Sequence, residues 1–131
     1  MKSLILFISG RQDDARELSQ TLRDLPLLLH HVETLRQARF RLPRNDYQVV
    51  LTEATLPDGN WLDVLHMVRE DPRELAVIVT DPQADARFWS EALNLGAYDL
   101  LAQPFYSPEV RRILSNACSR PAFGRIPMTA V

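Results

Sequence analysis

The apolar residues of this chain fall into short blocks that switch between two periodicities. Leu4 to Ile8 is a continuous apolar run, as expected for a strand covered on both faces of a sheet. Gly10 closes it. Asp13 or Asp14 then gives an acidic start to a helix whose Ala15, Leu18 and Leu22 recur at helical spacing. Pro26 to Val32 predicts a second strand. Thr34 to Leu42 predicts a polar, Arg-rich helix with a thin apolar stripe, ended by Pro43-Arg44-Asn45-Asp46. Val49-Val50-Leu51, running on to Glu53, predicts a third strand. A loop dense in turn residues, Leu56-Pro57-Asp58-Gly59-Asn60, leads into a helix over Trp61 to Arg69 with Leu62, Leu65 and Val68 on one side. Ala76 to Thr80 is the clearest strand, Ala84 to Leu95 a helix stopped by Gly96, and Tyr98 to Ala102 a fifth strand. Ser107 stands where it would cap a last helix, with Pro108 at its first position and Val110, Ile113, Leu114 and Ala117 as inner stripe.

Five βα units of this size predict an α/β fold, a doubly wound five-stranded parallel sheet with helices on both faces. A length of 131 residues holds one such domain, expected over residues 1–119, followed by an irregular tail at 120–131. A net charge of −2 argues against a nucleic-acid surface built on bulk charge. No apolar run approaches bilayer length, so no membrane partner is expected, and the N-terminal apolar stretch reads as a strand, not a signal peptide. The single cysteine, Cys118, excludes an internal disulfide and fits a reducing cytoplasm. Its place in a helix suggests a small core filler, not a nucleophile. His30, His31 and His66 lack metal-ligand spacing, and nothing in the spacing supports a triad of Ser9, His66 and Asp81.

In a sheet of this kind, ligands bind at the carboxyl ends of the strands. Those ends are Ser9-Gly10-Arg11, Glu53-Ala54-Thr55-Leu56-Pro57-Asp58-Gly59, Thr80-Asp81 and Ala102-Gln103-Pro104-Phe105. Two segments are specific: Leu56-Pro57-Asp58-Gly59, and Gly96-Ala97-Tyr98-Asp99-Leu100-Leu101-Ala102-Gln103-Pro104-Phe105. In this order and spacing the chain resembles the receiver domain of two-component response regulators, over residues 3 to 118. The second segment fits that family's G-A-x-D-x-L-x-K-P-F pattern at every fixed position but the lysine.

The resemblance implies a flavodoxin-like (βα)5 receiver fold and a phosphoryl acceptor at the end of strand three, where this chain has Glu53 instead of aspartate. The acidic pair that normally helps hold Mg²⁺ falls within Ser9, Gly10 and Arg11, none of them acidic. The family lysine is Gln103, the aromatic switch is Leu100, and only the hydroxyl position, Thr80, is kept. Mg²⁺ binding is therefore expected to be weak or absent, with no other cofactor and no catalytic residue. Three roles remain open to Glu53. It could accept phosphate despite its extra methylene, imitate a phosphorylated aspartate, or be a relic facing solvent or paired with Arg11. Trp61 could cover the emptied pocket. Phe88 and Trp89 are adjacent on one helix and cannot both face inward, so one of them is expected either to be exposed as a binding anchor or to pack across a neighbouring helix edge.

The same resemblance implies partners: a sensor kinase or an output protein, and a homodimer through the fourth helix, fifth strand and fifth helix. Arg87, Trp89, Asp99, Arg111 and Arg112 are the candidate residues of that face. The expectation is an atypical receiver that is no enzyme and acts through protein contacts without ordinary phosphorylation. One alternative is a receiver still phosphorylated, or locked in an active-like state, through Glu53. Another, from a different class, is a flavodoxin-like small-ligand or nucleotide-binding domain or enzyme. Against the latter, Gly10 stands alone where a phosphate loop would need several glycines.

Overall fold

A computed structural model describes residues 2–83 and 85–120; of the expected tail, all but Arg120 lies outside them. The five predicted strands are β1 (Ser3–Ile8), β2 (Leu27–Val32), β3 (Tyr47–Glu53), β4 (Ala76–Asp81) and β5 (Asp99–Ala102). They form one parallel sheet in the order β2-β1-β3-β4-β5. The helices are α1 (Gln12–Thr21), α2 (Leu35–Arg41), α3 (Trp61–Arg69), α4 (Ala86–Leu95) and α5 (Ser107–Ser119).

The period of two along each strand divides the core into two apolar layers. Ile5, Phe7, Val49, Leu51, Ile78 and Leu101 face α1 and α5, against Leu18, Val110, Ile113 and Leu114. Leu6, Ile8, Val50, Val77, Val79 and Leu100 face the other helices, against Leu35, Ala38, Val64, Leu65 and Ala92. Because both strand faces are covered, the strands read as unbroken apolar runs, and β1 and β3 carry no polar residue in their centres.

Several boundaries differ from the sequence reading. The turn-rich stretch after β3 contains a short antiparallel pairing of Thr55–Leu56 with Gly59–Asn60. Its Asp58 carboxylate accepts the backbone N–H of Leu35 (2.8 Å) and Arg36 (3.0 Å), tying the loop to the start of α2. Asn60 and Asp63 then form a capping box on α3. Leu62 points outward, 41% exposed, because Trp61 fills the inward position at the start of that helix. α4 begins at Ala86, capped by Asp85, which accepts from Phe88 N–H at 2.9 Å. Gly96 ends it at φ +120°, a backbone conformation that favours glycine. Tyr106, not Ser107, is the N-cap of α5 and makes no side-chain cap; Ser107 lies inside the first turn beside Pro108.

Candidate functional site

Parallel register brings the strand ends together. Ile8 pairs with Thr52, Glu53 with Thr80, and Thr80 with Leu101, so Ser9, Glu53, Thr80 and Gln103 share one end of the sheet. Ser9, Glu53 and Thr80 are all buried. The Ser9 hydroxyl donates to Glu53 Oε2 at 3.0 Å and accepts the Arg11 backbone N–H at 3.0 Å. Thr80 donates to the Leu101 carbonyl at 2.7 Å and accepts Gln103 Nε2 at 2.9 Å. The Gln103 amide, expected at the lysine position, and the Thr80 hydroxyl are thus bound to each other.

Sequence reasoning missed one member. Asp13 and Asp14 both lie in the first turn of α1, but they diverge. Asp13 is exposed and pairs with Arg16 at 3.4 Å. Asp14 turns inward beside Glu53, and its Oδ2 is buried without a hydrogen-bond partner. Arg11 Nε lies 3.8 Å from that oxygen, so the expected ion pair of Arg11 with Glu53 is corrected to one with Asp14. The Arg11 side chain is largely exposed and follows the nearest carboxylate on its own helix.

Burial, and then the neighbouring Asp14 carboxyl, push the Glu53 pKa up to about 7, against the lowering effect of the Ser9 hydroxyl and Arg11. Glu53 therefore neither faces solvent nor carries a full charge at neutral pH. A proton held on the pair supplies the donor that Asp14 Oδ2 otherwise lacks.

A family model for the response regulator receiver domain matches residues 5–115. The chain belongs to the response regulator receiver domain family. Its place is in two-component signalling. The receiver is 27% identical over 107 residues to response regulator protein PilR of Pseudomonas aeruginosa, an alignment covering 81% of this chain and 24% of PilR. Among solved structures it superposes on the signal receiver domain of a candidate Luxo repressor from Vibrio parahaemolyticus with a TM-score of 0.85, 22% identity and 92% of each chain covered. It superposes on the beryllofluoride-activated NtrC4 receiver domain dimer with a TM-score of 0.81 and 21% identity, covering 88% of this chain and 95% of the other. The chain spans less than half the length of the curated relatives it matches.

The remaining sequence-predicted residues of the receiver are dispersed. Gly10 is exposed at the turn after β1, and Leu100 is 2% exposed within the apolar layer. Trp61 lies in the same layer, edge-to-face with Phe88 at 5.7 Å. Neither Phe88 nor Trp89 stands free as an exposed anchor: both are half-buried against this layer, because their side chains are long enough to reach it from either side of α4. Arg87 and Arg112 are exposed, while Asp99 is half-buried and accepts the Leu100 N–H at 2.7 Å. Arg111 is drawn to the α1 side, donating to Asp24 at 2.6 Å and to the Thr21 carbonyl at 3.1 Å. Among the described residues no helix is long and apolar enough to cross a membrane, and no group of three or more His, Cys, Asp or Glu could hold a metal ion.

Proposed function

We propose that this receiver transmits its signal through protein contacts without an ordinary cycle of aspartate phosphorylation. The observation that carries this reading is that the polar groups of the crevice are engaged with one another. Ser9 donates to Glu53, Gln103 donates to Thr80, and Glu53 shares its environment with a second carboxyl. Phosphoryl transfer needs a metal bridging the transferred group and cations that neutralise its developing charge. Among the described residues the cation nearest the carboxyls is Arg11, which lies 3.8 Å from Asp14, and Gln103 carries no charge. The donor set does not fit Mg²⁺ well: a serine and a glycine stand at the acidic-pair positions, and Glu53 holds its proton to about pH 7. A carboxyl that is half neutral at that pH is also a poor substitute for a phosphoryl dianion, which speaks against an active-locked state held by Glu53.

On this reading the domain is not an enzyme and works in the cytoplasm on a sensor kinase or an output protein. A homodimer through α4, β5 and α5 would use Arg87, Trp89, Asp99 and Arg112. The test is titration of the domain with Mg²⁺ and beryllofluoride, followed by backbone amide NMR. The expected result is no saturable shift at Glu53 or Thr80 at millimolar concentrations. Saturable shifts that require both reagents would overturn the proposal.

A further inference from the structure

On a chain of net charge −2, one element concentrates positive charge. α2 and the 3-10 turn that follows it, Leu42–Arg44, carry Arg36, Arg39, Arg41 and Arg44, with no acidic residue between Thr34 and Asn45. Among the described residues, none of these four guanidiniums lies within salt-bridge distance of a carboxylate. Phe40 stands among them, 59% exposed and belonging to neither apolar layer. Arg44 lies over its ring, 3.8 Å from the centroid, and donates to its carbonyl at 2.6 Å.

Beside this ridge opens a cavity of about 610 Å³, lined by His31, Val32, Arg36, Gln37, Phe40 and Arg41. Its floor is β2, the edge strand, which pairs only with β1. Arg36 and Phe40 are one turn apart and share a ridge, while Gln37 and Arg41 form the parallel one. A solvated helix has use for arginines, but not for a phenylalanine held out of the core between them. Arg41 lies 3.3 Å from His30 Nδ1, but no carboxylate among the described residues pairs with these guanidiniums, and an aromatic rim beside them is the composition of an interface anchor.

We propose that the groove between α2 and β2 docks an acidic segment of a partner protein that carries an aromatic or large apolar side chain. Its carboxylates pair with Arg36 and Arg41, for which bidentate geometry suits guanidinium. Its apolar side chain enters the cavity against Phe40 and Val32. Charge complementarity selects this occupant: the patch is strongly basic on an acidic molecule. A nucleic acid would find a single ring to stack on and would hold its remaining phosphates against the net negative charge. The groove lies at the opposite edge of the sheet from β5 and Glu53 does not line it, so the proposal holds whether or not the crevice accepts a phosphoryl group.

The test uses a short synthetic peptide of aspartate and glutamate with one central tryptophan. Controls are the same peptide with serine for tryptophan, one with lysines for the acids, and a short oligothymidylate. Backbone amide NMR locates the binding and fluorescence anisotropy gives Kd. The acidic tryptophan peptide is expected to give saturable shifts at Arg36 to Arg41 and at His31. R36E/R41E should weaken it by at least about tenfold, a loss of roughly 1.4 kcal/mol, and Phe40→Ser by several-fold. Unchanged amide positions outside α2 would show that each variant is folded. Should Phe40→Ser fail that check, R36E/R41E alone decides. Equal affinity of the variant and native chains, shifts that map elsewhere, or tighter binding of the oligothymidylate at the same amides would each overturn the proposal.

Discussion

Glu53 illustrates how burial and one neighbour change the chemistry of a strand end. The residue is 6% exposed, its carboxyl accepts from Ser9, and it lies beside Asp14, whose Oδ2 has no hydrogen-bond partner. Burial and that second carboxyl raise its pKa from the ordinary 4.5 to about 7. The folded state thus binds this proton more tightly than the unfolded chain. Its contribution to stability is complete below about pH 4.5 and is lost as the pH rises through about 7. Glu53→Gln keeps an acceptor for Ser9, offers an amide donor to Asp14 and removes the titration. The variant should be more stable than the native chain at pH 8, by on the order of 1–3 kcal/mol, and nearly equal to it at pH 5. Urea denaturation at the two pH values measures this, and an equal difference at both would refute the shared proton. The position of Glu53 was legible from the motif that follows it. The inward turn of Asp14 was not. Adjacent carboxylates in a first helical turn look alike in sequence, and which one faces the sheet depends on how the Ser9-Gly10-Arg11 turn leaves β1.

Among the elements, α2 is held by a residue outside it. The helix has its own cap, Thr34 accepting the Gln37 N–H at 3.1 Å, yet its first two amides are satisfied by Asp58 from the loop after β3. Burial works against the ionised Asp58, but the Leu35 and Arg36 amides lower its pKa beyond that opposition. Asp58→Ala should therefore cost about 1–2 kcal/mol, the usual loss when helix N-terminal amides lose a carboxylate. The loss should appear as faster amide exchange at Leu35 and Arg36, with exchange in β4 and β5 unchanged. A uniform loss of protection across the sheet would show that Asp58 supports the fold as a whole and not this helix. Short continuous apolar runs made the strands readable, and caps and stops made most helix boundaries readable. What the pattern could not carry was orientation at element ends. Leu62 fits the helical stripe of α3 but yields the inward place to the larger Trp61, and Arg111 fits an α5 surface but reaches across to Asp24.

At the scale of the whole molecule, the parallel sheet gathers Ser9, Glu53, Thr80 and Gln103 at its carboxyl edge. Glu53 remains opposite Thr80 and next to the β1 end, and the fold superposes on receiver domains with TM-scores of 0.81 and 0.85. If the proposed reading of the crevice is right, supplying the acidic and cationic residues expected there should give it a phosphoryl-analogue response. The variant combining Ser9→Asp, Gly10→Asp, Glu53→Asp and Gln103→Lys should regain saturable amide shifts that require both Mg²⁺ and beryllofluoride. A side chain at Gly10 is tolerable, since its Cβ would meet the Pro57 ring at 3.5 Å, an ordinary contact. Glu53→Asp alone should not suffice, because it shortens the acceptor without supplying the cation site. A response from that single variant would show that the acidic-pair positions are not what limits the crevice. Even the restored site should keep its shifts local. Leu100 is 2% exposed in the apolar layer and is not the aromatic expected for a relay, so on the proposed reading the α4, β5 and α5 face should stay silent. Shifts reaching Arg87 and Arg112 would instead mean that the sheet itself transmits the change, with no aromatic relay.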